Sequence, residues 1–101
     1  MSEEEAAFGN LGTCGGGEIY LGAFSGESPW ERHSSGDELV HVLNGRATIT
    51  ILMDDGPEEH DLTGGTVLIV PQGRWHRFVV EQSVTVMTVT PPPTEHSVER
   101  P

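Results

Sequence analysis

Lysine is absent from this chain of 101 residues, and its five cations (Arg32, Arg46, Arg74, Arg77, Arg100) face 16 carboxylates for a net charge of −11. That balance repels phosphate backbones and anionic lipid headgroups, so neither nucleic acid nor a membrane surface is expected as a partner. Cysteine is nearly absent as well. Cys14 alone cannot close an internal disulfide, and no basic neighbour activates its thiol. No apolar run approaches the ~20 residues that a membrane-spanning helix needs. The first residues, MSEEEAAF, lack the basic and apolar regions of a secretory signal. A cytoplasmic location is the expectation.

The chain does contain many turn formers, with 13 glycines and 7 prolines. They punctuate short apolar stretches at intervals of about 8–12 residues, the pattern of a sandwich or small barrel. No stretch has the period of a helix. Residues 1–17 read as a loose leader, because Glu3, Glu4 and Glu5 repel one another and Gly15, Gly16 and Gly17 offer nothing to pack. Residues 18–92 read as one β domain, and 93–101 as a polar tail. Within the domain, strands are expected at Glu18–Phe24, Leu39–Leu43, Ala47–Met53, Glu58–Leu62, Thr66–Val70, Trp75–Val80 and Val84–Thr90. Asn44-Gly45 reads as a turn ending the second of these. Glu58–Leu62 is polar and suits an edge, whereas Thr66–Val70 is apolar throughout and suits a central position.

Polar residues gather in two islands. The first, Trp30 to Gly45, holds Glu31, His33, Asp37, Glu38 and His41; the second is Pro71-Gln72-Gly73-Arg74-Trp75-His76. Side chains alternate across a strand, so Glu38 shares a row with Val40 and Val42, and His76 with Phe78. Glu31 and His33 share parity, and the intervening Ser34–Asp37 can reset the phase toward Glu38. One cavity could hold Glu31, His33, Glu38 and His76, with His41 pointing away. Two imidazoles and one or two carboxylates suit a divalent transition metal with positions left open for a small molecule. The same spacing also fits solvated strand-end carboxylates and ordinary polar histidines.

The residues resemble the cupin family. Its first motif runs Gly or Pro, His-any-His, three or four residues, Glu, six residues, Gly. Here Glu31-Arg32-His33, four residues, Glu38, six residues, Gly45 matches with Glu in place of the first His. Its second runs Gly, five residues, Pro-any-Gly, two residues, His, three residues, Asn. Gly65, Pro71-Gln72-Gly73 and His76 match it, and Val80 stands where Asn would. The resemblance implies an all-β double-stranded β-helix of the jelly-roll type. It implies His33, Glu38 and His76 as metal ligands, with Glu31 in the place of a fourth. The ion implied is manganese, iron, zinc or nickel, and the partner a small-molecule ligand. Trp30, Arg74, Trp75 and Phe78 flank the motifs and are placed at the cavity wall or rim, with core or interface packing the alternative for the two tryptophans and a solvated rim cation for Arg74.

Three functions follow as expectations. One is a metal-dependent enzyme of the dioxygenase, isomerase or lyase kind. Another is a non-catalytic module that binds or senses a small ligand. The third is a structural dimer with a relic site. A homodimer is expected in all three, because Leu39 and Leu43 lie on the outer face and need cover.

Overall fold

A computed structural model of the chain describes residues 7–101, with side chains from residue 9 onward. Eight antiparallel strands make up its regular structure: β1 (Ala7–Cys14), β2 (Gly17–Glu27), β3 (Trp30–His33), β4 (Glu38–Met53), β5 (Gly56–Thr63), β6 (Thr66–Val70), β7 (His76–Thr90) and β8 (Thr94–Ser97). No helix in the described residues is long and apolar enough to cross a membrane.

The two longest strands, β4 and β7, lie side by side at the centre. The first half of β4 pairs with β6 and with the second half of β7, through Val40↔Leu68 and Val40↔Thr88. Its second half pairs with β5 and with the first half of β7, through Ile49↔His60 and Ile49↔Phe78. The outer side of β7 pairs with β2 along most of its length and with β3 at Glu31↔His76. The sheet is thus curled into a jelly-roll barrel with two walls that share bent central strands.

Alternation along β4 and β7 fills the barrel. Val40, Val42, Ala47, Ile49 and Ile51 from β4 meet Phe78, Val80, Val84 and Val86 from β7, all buried, with Phe24, Leu62 and Val70 completing the core. Burying such a row of β-branched side chains, at ~25 cal/mol per Å² of apolar surface, is the main force closing the barrel.

Several expectations need correction. Asn44-Gly45 is not a turn: the pairing register shifts between Val42 and Asn44 and again between Gly45 and Thr48, and the strand continues as one bent element. The stretches Trp75–Val80 and Val84–Thr90 likewise join into one strand, β7, which begins at His76. β6 is apolar but pairs only with β4, so it is an edge strand, with Val67 and Ile69 about half exposed. Residues 1–6 of the expected leader lie outside the described residues, while Ala7–Cys14 adds β1 to the edge of β2. The tail also contributes: Thr94–Ser97 pairs with β3 over Trp30–His33.

Candidate metal centre

Two turns are laced together at one end of the barrel. Between β3 and β4, Asp37 Oδ1 accepts a hydrogen bond from the Gln72 backbone N–H at 2.8 Å. Gln72 Nε2 donates to the Ser34 carbonyl at 2.8 Å, and the Gly73 N–H donates to the His33 carbonyl at 2.9 Å. Gly73 has φ of 76°, in the left-handed region that glycine enters without steric penalty. These three bonds hold the end of β3, the start of β4 and the approach to β7 in one place.

That place collects three of the four expected side chains. His33 is the last residue of β3, Glu38 the first of β4 and His76 the first of β7. All three are buried. One donor atom from each lies within 4.8 Å of the others. His76 Nε2 is 3.0 Å from Glu38 Oε1, and His33 Nε2 is 3.3 Å from Glu38 Oε2. The second carboxylate oxygen also accepts from Thr90 Oγ1 at 2.5 Å, and Thr90 shares a hydrogen bond with Thr88.

The outer nitrogen of His76 fixes its tautomer. His76 Nδ1 lies 3.0 Å from the Arg74 carbonyl, which can only accept, so Nδ1 carries the proton. In a neutral His76 the Nε2 lone pair then points at a carboxylate oxygen. His33 Nδ1 contacts Thr94 Oγ1 at 3.0 Å. His33 Nε2 is buried and has no hydrogen-bond partner, although it lies near Glu38. Its closeness to the carboxylate supplies attraction if the ring is charged, but no hydrogen bond. Two nitrogens and a carboxylate therefore converge with a donor missing among them. A cation satisfies the arrangement: a proton on His76, or a divalent ion shared by all three. Ligands that share one such ion at about 2.0–2.2 Å, at right angles, stand about 3 Å apart. The spacings of the two imidazoles from Glu38 fit, as does the nitrogen and oxygen donor set.

Electrostatics agree. Burial alone would raise the Glu38 carboxyl, but the His33 and His76 imidazoles beside it hold it at about 2. Burial alone would lower the His76 imidazole, and the Glu38 carboxylate overcomes this and raises it.

Glu31 is separate. Its carboxylate is not part of the 4.8 Å cluster. It lies 3.9 Å from His96 Nε2 on β8, and burial, followed by the nearby Glu38 charge, raises its carboxyl. Glu31 and Glu38 line one cavity of about 450 Å³, with Phe78, Tyr20, Phe24, Val86, the threonines 88, 90 and 94, and His96. Glu38 is the one cluster member on that lining; the two imidazoles are not.

Of the residues expected at wall or rim, Phe78 lines the cavity and the other three do not. Trp30 is buried with the Arg77 guanidinium 4.9 Å from its ring centre, and Arg32 lies 4.7 Å over Trp75. Arg74 reaches Asp54 at 2.6 Å. None of these three lines the cavity. His41 is also off the cavity lining, as its parity requires. The site residues missed in the sequence are hydroxyls, Thr90, Thr94 and Thr88. Their signal was parity with Val84 and Val86 along β7, and for Thr94 there was none.

Comparison with known proteins follows this geometry. Residues 23–91 match the family described as "Cupin domain". Among curated proteins, conglutin beta 7 of Lupinus angustifolius is 48% identical over 42 residues; the match covers 42% of this chain and only 7% of that protein. A cupin superfamily protein of Desulfitobacterium hafniense superposes with a TM-score of 0.75 at 24% identity, covering 92% of this chain and 83% of that one. Hydroquinone 1,2-dioxygenase of a Sphingomonas species, solved with 4-hydroxybenzoate bound, gives 0.70 at 19% identity, covering 88% and 65%.

Proposed function

The chain belongs to the cupin family, and from that premise we propose that it is a metal-dependent enzyme acting on a small organic molecule. His33, Glu38 and His76 would hold one divalent transition ion, and the adjoining cavity would hold the substrate. The observation that carries this reading is the unpartnered, buried His33 Nε2 facing a carboxylate that also faces His76 Nε2. A buried polar nitrogen without a partner costs about 1–3 kcal/mol. Only a cation removes that cost for both rings at once. The Sphingomonas neighbour, a dioxygenase by name, supports an enzyme of small molecules on this fold.

An ion bound here supplies Lewis acidity toward a substrate oxygen. The chain's own residues do the rest. The Arg74 carbonyl and Thr94 hydroxyl fix the ring orientations, as such outer partners do at metal sites. Thr90 orients the carboxylate. Phe24, Phe78 and Val86 exclude water from the inner end of the cavity.

The competing occupant is a proton on His76, which pairs with Glu38 but leaves His33 Nε2 unsatisfied. Elemental analysis of the purified protein separates the two. One equivalent of manganese, iron, zinc or nickel per chain is expected, falling to near zero in His33→Ala. Protein that stays metal-free after exposure to all four ions would leave the proton as the occupant and end the enzyme reading.

A further inference from the structure

We infer that β8 is the positioning element of the candidate metal centre: its Thr94 hydroxyl sets the His33 ring, and its Glu95, through Arg32, holds the strand that carries that ring. The inference rests on the preceding reading for the ion and goes beyond it in giving the tail a part in the site.

Little else holds β3. It pairs with β7 at Glu31↔His76, and with β8 along its whole length, from Trp30↔Ser97 to His33↔Thr94. Thr94 and His96 both line the cavity, and Glu95 between them lies on the opposite face. The side chains that oppose each other across the two strands are chemically matched. Arg32 donates to Glu95 at 2.9 Å, His33 Nδ1 lies 3.0 Å from Thr94 Oγ1, and His96 Nε2 lies 3.9 Å from Glu31. Matched cross-strand pairs stabilise a sheet locally and favour one register. A slip by one residue would carry the Thr94 hydroxyl to the other face, away from the ring. The tail is also tied on either side of β8. Ser35 Oγ donates to the Pro92 carbonyl at 2.6 Å, and the Arg100 guanidinium lies 5.7 Å from the centre of the Trp30 ring. β8 lies beyond residues 23–91, which match the family, so membership does not imply this contact.

Among the described residues, Thr94 Oγ1 is the hydrogen-bond partner of the His33 ring, whose Nε2 has none. An imidazole that ligates through Nε2 carries its proton on Nδ1 and needs an acceptor there. Thr94 Oγ1 stands at that place. Without it, nothing polar sets the rotation of the ring, and a proton on Nδ1 would be buried without a partner. Both effects oppose the ligating form.

Arg32 carries the hold across to the second imidazole. The guanidinium that is bonded to Glu95 also lies 4.7 Å over the Trp75 ring. Trp75 immediately precedes His76, as Arg32 precedes His33. One cation, set between a carboxylate and an aromatic face, thus joins the neighbours of both imidazoles from outside.

The test uses the full-length chain and zinc as the probe, titrated against a competing chelator. Thr94→Val should weaken zinc binding at least about tenfold, the effect of removing an outer partner of a ligating imidazole. Thr94→Ser, which keeps the hydroxyl, should restore it. Glu95→Gln should weaken zinc about two- to fivefold, as an exposed ion pair allows, and added salt should erase that difference. Hydrogen exchange in metal-free protein reads the hold on β3 directly. Glu95→Gln should lower protection of the β3 amides by a similar factor while leaving those of β4 and β7 unchanged. Equal zinc affinity in wild type and Thr94→Val overturns the inference and leaves the proposed function standing, as does a Thr94→Ser variant no better than Thr94→Val. Unchanged β3 protection in Glu95→Gln overturns the role given to Glu95. Wild-type protein that takes up no zinc overturns the proposed function and this inference together.

Discussion

Glu38 is the residue on which the site turns. Its two oxygens face two imidazoles and a threonine hydroxyl, and it alone of the cluster reaches the cavity. Removing the Thr90 hydroxyl should therefore be felt. Thr90→Val preserves shape but withdraws a donor from a buried carboxylate, and a loss of about 1.5–3 kcal/mol is expected in urea unfolding. The pH response distinguishes proton from ion. His76 is raised above its ordinary 6.5, so in metal-free protein its contribution is fully present below that value and lost as pH rises through the folded value. Glu38 is lowered from 4.5 to about 2, so its contribution is present above 4.5 and lost as pH falls toward 2. Metal-free protein should melt highest between those two ordinary values and lose melting temperature above pH 6.5. Ion binding requires neutral imidazoles, so the rise in melting temperature on adding zinc should grow over that same alkaline interval. Calorimetric melting at several pH values, with zinc and with chelator, reads both slopes; parallel slopes would remove the ion from the site. At this scale the sequence was informative where parity applied. Equal parity put Glu38 with Val40, and His76 with Phe78, on the inner face. The same rule, applied to Trp30 beside Glu31 and to Trp75 beside His76, places both rings outside, and proximity to a motif was the weaker guide.

Bends in β4 and β7 are what bring the two motifs together, and one glycine permits the first of them. Gly45 has φ of +87°, and an added Cβ would collide with the Ser83 carbonyl oxygen, where β7 makes its own bend. Neither backbone can step aside without breaking the pairing between Gly45 and Val84. Gly45→Ala should cost about 1–3 kcal/mol from backbone strain alone, with the clash added. Gly9→Ala is the control, since Gly9 is also in a strand but has nothing within 4 Å and no positive φ. Chemical denaturation of both checks the contrast; equal stability would mean that β4 is not pinned at this point. The motif glycine was thus visible in the sequence, but its role was not. Asn44-Gly45 has the composition of a hairpin turn, and only the presence of β7 alongside converts it into a bulge inside a longer strand. β6 failed for a similar reason. A run such as Thr66–Val70 is apolar on both faces, which normally marks a strand covered on both sides. Here the outer side chains Val67 and Ile69 are exposed, so local composition indicated a cover that the described residues of the chain do not supply.

For the molecule as a whole, we propose that this exposed face is where two copies meet. Paired residues line up across β2, β7, β4 and β6 in two rows, Ile19–Val89–Leu39–Ile69 and Leu21–Met87–His41–Val67. Neither row contains a carboxylate or an arginine, on a chain whose net charge is −11. Four strands at about 4.8 Å spacing and three residues at about 3.3 Å give a face of roughly 190 Å² in projection. That is enough for the centre of a standard interface of about 800 Å² per partner. A basic partner would seek the carboxylates instead, and an anionic membrane would repel them. A second copy of the chain meets neither objection, because the rows are where two like-charged bodies approach with least repulsion, and a twofold axis brings each row against its equivalent. The expected species is therefore a dimer of twice the 10.9 kDa chain mass. Its affinity should increase with added salt, which screens the repulsion between the remaining carboxylates without weakening apolar contact. Val67→Glu with Ile69→Glu should give a folded monomer, since both positions are exposed within one chain and the site lies on the inner face. Sedimentation equilibrium at low and high salt measures each of these points. Wild-type protein at 10.9 kDa under both conditions, or a double variant that remains dimeric, would show that this face is not where copies join.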